Sequence, residues 1–131
     1  MSIKLPEKVR QLIDDKNIAH FATLNQDGSP HVSPVWIDRD GDIILVNTTS
    51  TRIKYKNVKN DKRVSLSLTD YRDSYTWVFI MGEVIEISDI DADAHIDKMS
   101  QKYMGIPKFS GKNPTETRKI IRIIPLIAKH N

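Results

Sequence analysis

Six basic side chains crowd the twelve positions from Arg52 to Arg63: Arg52, Lys54, Lys56, Lys59, Lys62 and Arg63, with Asp61 the one acid among them. An apolar run, Ile43 to Val46, precedes them and leads into Thr48, Thr49, Ser50 and Thr51. This pattern predicts a strand turning into a short helix, roughly Thr51 to Asp61, with Thr49, Ser50 or Thr51 as N-cap. Arg52 and Lys54 then meet the positive end of the helix dipole, at a cost of about a few tenths of a kcal/mol. An anion seated there reverses the sign, because it finds free N–H donors, hydroxyls and two cations together. The stretch is therefore a candidate phosphate site. Read alone, it is equally a solvated basic face.

Other residues offer less. Pro30 to Trp36 reads P-H-V-S-P-V-W. A proline-kinked edge strand exposes backbone groups that a flat polar ring can use, and Trp36 can wall a pocket or pack in a core. His31 and Tyr55 are the side chains to test as proton donors, and no catalytic residue is assigned. The histidines are scattered without H-x-E or H-x-x-x-H spacing, so no metal site is expected. No G-x-S-x-G, P-loop or G-x-G-x-x-G is present. Asp89, Asp91 and Asp93 lack the glycine and glutamate of a calcium loop and read as helix-start acids. Trp77 and Phe79 alternate with Val78 and Ile80, and core packing is the favoured reading of the aromatic pair. Arg122 lies in an isoleucine-rich run, so its charge needs a partner or an exit to solvent.

Positioning these groups falls to 131 residues, enough for one domain over 1–131. Apolar content of 39%, charged content of 28% and a net charge of +3 describe an ordinary globular protein whose basic excess is local. That suits an anionic ligand better than a long polyanion; a nucleic-acid binder would interleave aromatics with the cations, and only Tyr55 does so. The absence of cysteine removes disulfides, zinc-thiolate sites and cysteine nucleophiles. No apolar run reaches membrane-spanning length and Met1 to Lys16 lacks a signal segment, so the cytoplasm is the expected compartment.

Leu5 to Lys16 reads as an amphipathic helix. Strands are expected at Ile18 to Leu24, Pro30 to Asp38, Ile43 to Asn47, Arg63 to Thr69, Tyr75 to Ser88 and within Thr115 to His130. Gly28 and Gly41 mark tight turns between the first three. Gly82 suggests a bulge. A helix capped by Ser88 or Asp89 should run to about Met104 and stop at Gly105. About six strands with flanking helices point to a small β-barrel.

The pieces stand in a recognisable order: A-T-L-N-Q-D-G-S-P-H-V-S-P-V-W, a strand, T-x-x-R-x-K-x-x-N, K-R-V-S-L-S-L, then W-V-F-I-M-G-E-V. Together they resemble the split β-barrel flavin-binding superfamily typified by pyridoxamine 5′-phosphate oxidase. Within it the chain looks most like the short branch that binds the deazaflavin coenzyme F420. The resemblance covers roughly residues 7–125. It implies a mainly β fold, a six-stranded antiparallel split barrel, and a homodimer with two cofactor sites at the subunit interface. It carries the phosphate-binding segment onto Arg52, Lys54 and Asn57, with Thr49 supplying a hydroxyl. Pro34, Val35 and Trp36 are placed along the ring system, and Trp77 and the final strand of the second subunit close the pocket. Lys56 and Lys59 suit the glutamate tail of F420, which favours F420 over FMN. True pyridoxamine phosphate oxidases carry a C-terminal arginine-containing segment; this chain ends I-P-L-I-A-K-H-N, so vitamin B6 oxidation is not expected.

The implied reaction is hydride transfer from the reduced cofactor to a small unsaturated or quinone-like substrate, with the protein binding, orienting and shielding the cofactor. The alternatives are an FMN-dependent oxidase or electron carrier, and a carrier that holds flavin or haem without turnover.

Overall fold

Val64, Leu66 and Leu68 alternate with Ser65, Ser67 and Thr69, and that period of two builds a strand with one buried face. In the computed structural model, which describes residues 2–131, the pattern recurs along the chain. The elements are α1 (Glu7–Asp14), β1 (Ala19–Leu24), β2 (Pro30–Val35), β3 (Asp38–Asp40), β4 (Ile43–Thr49), α2 (Ile53–Asn60), β5 (Arg63–Asp70), β6 (Asp73–Ser88), α3 (Ala92–Met104) and β7 (Arg118–His130). All strand pairings are antiparallel and form one sheet in the order β2-β1-β5-β6-β7-β4-β3.

That sheet is rolled. Phe21 of β1, Val46 of β4, Leu66 of β5, Ile80 of β6 and Ile123 of β7 belong to one buried cluster. A flat sheet cannot bring β1 and β4, four strands apart in its order, into a single core. Val9, Leu12 and Ile13 of α1 share that cluster, and the backbone N–H of Leu5 donates to Asp42 Oδ1 at 2.9 Å, which ties the start of the helix to the β3–β4 turn. A smaller cluster of Leu45, Ala92 and Ile120 seats α3 on the other face of β4 and β7. No helix among the described residues is long and apolar enough to cross a membrane.

The mainly β split-barrel fold is as expected, with seven strands among the described residues in place of six. The second expected strand, Pro30 to Asp38, divides. Trp36 and Ile37 leave the sheet, and Asp38–Asp40 pairs with β4 as a separate edge strand. Pro30 and Pro34, which cannot donate to a ladder, lie on the edge strand β2. At Gly82 the β6–β7 register shifts. A Cβ there would overlap the carbonyl oxygen of Ile124, so only glycine admits this close strand approach. Gly105 ends α3 in the left-handed region (φ 70°).

Three local expectations are corrected. α3 begins at Ala92, after Asp91 at φ 61°, because Ser88 Oγ accepts the Ile90 N–H in a turn outside the helix. The N-cap position of α2 is Arg52, and no side chain caps it. Trp77 is 42% exposed and lies on the outward face of β6, while Val78 and Ile80 fill the core.

Candidate functional site

Where β2 ends, β4 ends and α2 begins, the chain lines a cavity of about 360 Å³. Pro34, Val35 and Trp36 come from the end of β2 and the residue after it, and Asn47, Thr48 and Thr49 from the last turn of pleat in β4. Arg52 and Lys54 come from the entry to α2, Arg118 opens β7, and Ile18, Ile96 and Phe109 complete the lining.

Local structure explains each placement. Lys54, Asn57 and Val58 lie at i, i+3 and i+4 of α2 and share its inner face. Asn57 and Val58 are buried and Lys54 half-buried, so the ammonium at the N-terminal end of that face reaches the cavity. Asn47 and Thr49 leave β4 on the side that packs α3, and Thr48 leaves on the opposite side. Arg118 stands directly opposite Thr49 in the β4–β7 ladder. Its Nη1 donates to Asn47 Oδ1 at 3.0 Å, and its guanidinium lies 4.8 Å from the centroid of the Phe109 ring.

The electrostatics favour an anion. The described residues lining the cavity include Arg52, Lys54 and Arg118 and no carboxylate. Burial lowers the Lys54 pKa, and the charge of Arg52 lowers it further. Burial also lowers that of Arg118; Asp93 and Glu116 offset part of this, and Arg52 adds to it. The cations thus destabilise one another, a cost that a bound anion removes. The hydroxyls just ahead of α2 are partly committed: Thr51 Oγ1 donates to Glu116 Oε1 at 2.9 Å, and Ser50 Oγ accepts the Thr117 N–H at 3.2 Å. These bonds tie the loop before β7 to the loop before α2. With no side-chain cap, the first N–H groups of α2 keep their donors free of side-chain partners.

One wall is aromatic. Trp36 stacks on Tyr103 with centroids 5.2 Å apart and planes 6° from parallel, and Phe109 meets Trp36 edge-on at 5.7 Å. Tyr103 is itself fixed, donating to Asn17 O at 2.7 Å and accepting the Ile37 N–H at 3.0 Å. Burial, acting against the Ile37 hydrogen bond, pushes its pKa up to about 12. Thr48 Oγ1 is buried without a hydrogen-bond partner among the described residues. A cavity lined by three cations, an aromatic and aliphatic wall, and an unmatched hydroxyl fits a flat heteroaromatic ring carrying a phosphorylated chain.

Of the residues singled out in sequence, Thr49, Arg52, Lys54, Pro34, Val35 and Trp36 are brought together here. Asn57, Lys56 and Trp77 are not among this cavity's lining. Asn57 turns inward, its Nδ2 donating to Thr23 Oγ1 at 3.0 Å and Asn25 Oδ1 at 2.9 Å, so it locks α2 onto the β1–β2 hairpin. Lys56 is exposed on α2, and Trp77 lies on the outer sheet face. Tyr55 is flanked by Lys59 and Lys119, with ammonium groups 5.1 and 5.9 Å from the ring centroid. His31 is half-buried on β2, its Nδ1 without a partner. Arg122 pairs with Glu86 at 3.0 Å and needs no ligand.

Sequence reading missed Arg118, Asn47, Thr48 and Phe109. Arg118 and Arg122 share one face of β7, and composition does not distinguish them. Strand register does: Arg122 stands opposite Leu45, and Arg118 opposite Thr49 at the cavity.

Comparison with known proteins gives a consistent relation. A family model described as pyridoxamine 5′-phosphate oxidase matches residues 5–126. A solved structure described as an F420 reductase is similar at a TM-score of 0.85 and 27% identity, covering 95% of this chain and 98% of that one. A Listeria innocua protein proposed to be a pyridoxamine 5′-phosphate oxidase has a TM-score of 0.72 at 16% identity, with 95% of each chain covered. A conserved hypothetical protein from Mycobacterium tuberculosis has a TM-score of 0.69 at 20% identity, covering 98% of this chain and 85% of that one. The last two share the fold. No curated protein matches the chain.

Proposed function

The chain belongs to the pyridoxamine 5′-phosphate oxidase family, and from that premise we propose that it is an oxidoreductase holding coenzyme F420 in the cavity beside α2. The observation that carries the reading is the convergence of Arg52, Lys54 and Arg118, without a carboxylate, beside the Trp36 wall. Arg52, Lys54, Thr49 and Arg118 would hold the cofactor phosphate. Trp36 and Val35 would lie along the ring, and the Thr48 hydroxyl would gain the partner it lacks. When bound, the cofactor supplies a hydride to a small unsaturated or quinone-like substrate. The side chains bind it, orient it and exclude water from one of its faces.

F420 is preferred over FMN on two grounds. The F420 reductase is similar over nearly the whole chain at 27% identity. Beyond the cavity, Lys56 and Lys59 of α2 and the adjacent Lys119 offer cations to an acidic tail that FMN does not carry. FMN is the second reading, since one phosphate would also satisfy Arg52, Lys54 and Arg118.

The reading includes a homodimer. Val32, Ala22, Ser65, Met81 and Ile127 form one lateral row across β2, β1, β5, β6 and β7. Val32, Met81 and Ile127 are large, exposed apolar side chains, and Trp77 and Tyr75 extend the face. A second copy covering this face would remove it from water and bring its Trp77 toward a cofactor site.

Titration of the purified protein with F420 and with FMN, followed by absorbance and fluorescence, tests the cofactor. Binding of F420 tighter than FMN supports the reading; FMN alone moves it to the second. Light scattering on the parent chain and Met81→Asp tests the dimer, which the substitution should split.

A further inference from the structure

Among the described residues Arg118 has one hydrogen bond to a side chain, and that bond leads into the molecule. Asn47, which receives it, lies on the α3 side of β4. Its Nδ2 donates to Ala92 O at 2.9 Å and meets His95 Nδ1 at 3.1 Å. His95 Nε2 is 3.0 Å from Asp38 Oδ2, which also accepts from Lys98 Nζ at 3.2 Å. The histidine and aspartate side chains are 8% and 11% exposed. A buried path therefore runs from the cavity through β4 and α3 to the edge strand β3.

We infer that His95 is a positioning residue that, through Asn47, holds the Arg118 guanidinium at the cavity. The inference rests on the anion-binding reading proposed above. Its basis is the count of donors and acceptors. Arg118 can only donate, so the Asn47 atom facing it must be the carbonyl oxygen. Ala92 O can only accept, so the atom facing it must be the Asn47 amide nitrogen. Both constraints fix the same orientation of Asn47. The amide then donates to His95 Nδ1, which must be unprotonated, leaving the ring proton on Nε2. At the far end, burial works to neutralise Asp38, but hydrogen bonds from His95, the Arg39 backbone and Lys98 hold its pKa at about 2. It is therefore an ionised acceptor and takes the Nε2 proton.

Each member leaves the next one orientation. A donor-only group at the cavity and an acceptor-only group at β3 make the path directional. Turning Asn47 over would set its amide against the guanidinium and break the bond that aims Arg118. An apolar ring in place of His95 removes the acceptor for one Asn47 proton and weakens that bias, without touching a cofactor.

The test is a double-mutant cycle read by titration with F420 and FMN. His95→Phe should weaken binding about fivefold or more in the parent chain and less than about twofold in Arg118→Ala, because the two act through one path. Equal losses in both backgrounds, or no loss in the parent, overturn the inference. Nitrogen-15 NMR of the parent chain supplies a readout that needs no variant. The His95 ring proton should sit on Nε2, and a proton on Nδ1 overturns the inference. If a cofactor binds the parent and Arg118→Ala binds it as tightly, this inference falls together with the place of Arg118 in the phosphate group, and the cofactor reading rests on Arg52 and Lys54. If neither cofactor binds the parent chain, the proposed function falls and takes this inference with it.

Discussion

Thr49 and Arg118 face each other across the β4–β7 ladder, and their side chains leave the sheet on the same side. The pairing joins the hydroxyl-rich end of one strand to the start of another 69 residues on. It makes Arg118 part of the proposed phosphate group although no local motif includes it. Arg118→Ala should lose a charge-assisted contact and about 1.5–3 kcal/mol of cofactor affinity. Arg118→Lys should recover only part of this, since a single ammonium lacks the planar fork. Titration checks both, alongside a urea midpoint that moves little.

Asn57 separates a structural role from a binding role. Asn57→Ala leaves Thr23 Oγ1 and Asn25 Oδ1 without their donor, and should destabilise the fold by about 1–3 kcal/mol. Urea unfolding should show a lower midpoint with an unchanged slope. Unchanged stability with lost cofactor affinity would return Asn57 to the ligand role that the family resemblance implies.

Gly82 is required by packing. An added methyl meets the Ile124 carbonyl and the Ile123 side chain, and backbone cannot move aside without opening the β6–β7 ladder. Gly82→Ala should cost about 1–3 kcal/mol or more, as overpacking does. Thermal unfolding measures it, and an unchanged midpoint would mean that the strands do not approach this closely.

Asp38 sets an acid limit. Its pKa in the folded chain is about 2 against an ordinary 3.8. The folded value lies below the unfolded one, so the group stabilises the fold above about pH 4, and that contribution is lost as pH falls toward 2. The shift corresponds to about 2 kcal/mol. Stability measured between pH 4 and 2 should fall less steeply for Asp38→Asn than for the parent chain. Equal slopes would show that Asp38 is not held ionised by His95 and Lys98.

Much of this architecture was legible. Alternation along Arg63–Asp70, the glycine turns and the helical spacing of Leu5, Val9, Leu12 and Ile13 are local signals, and they give strands and helices close to those observed. The basic segment with Pro34, Val35 and Trp36 gave half of the cavity. What was hidden depends on contacts distant in sequence. Arg118 and Asn47 meet 71 residues apart. His95 reads as one of four scattered histidines until α3 is docked on β4. Asn57 carries the residue type of a ligand, and only the position of β1 shows that its amide is already engaged. Trp77 looked like core because the strand alternates, and alternation does not reveal which of its two faces is buried.

The most direct test of the cofactor site is the affinity of F420 and FMN for the parent chain and for Lys54→Ala. One of them, F420 by preference, should bind the parent well below millimolar, and Lys54→Ala should lose about 1.5–3 kcal/mol of that affinity. Failure of both cofactors to bind the parent below about millimolar, or a Lys54→Ala chain that binds as tightly as the parent, would contradict it.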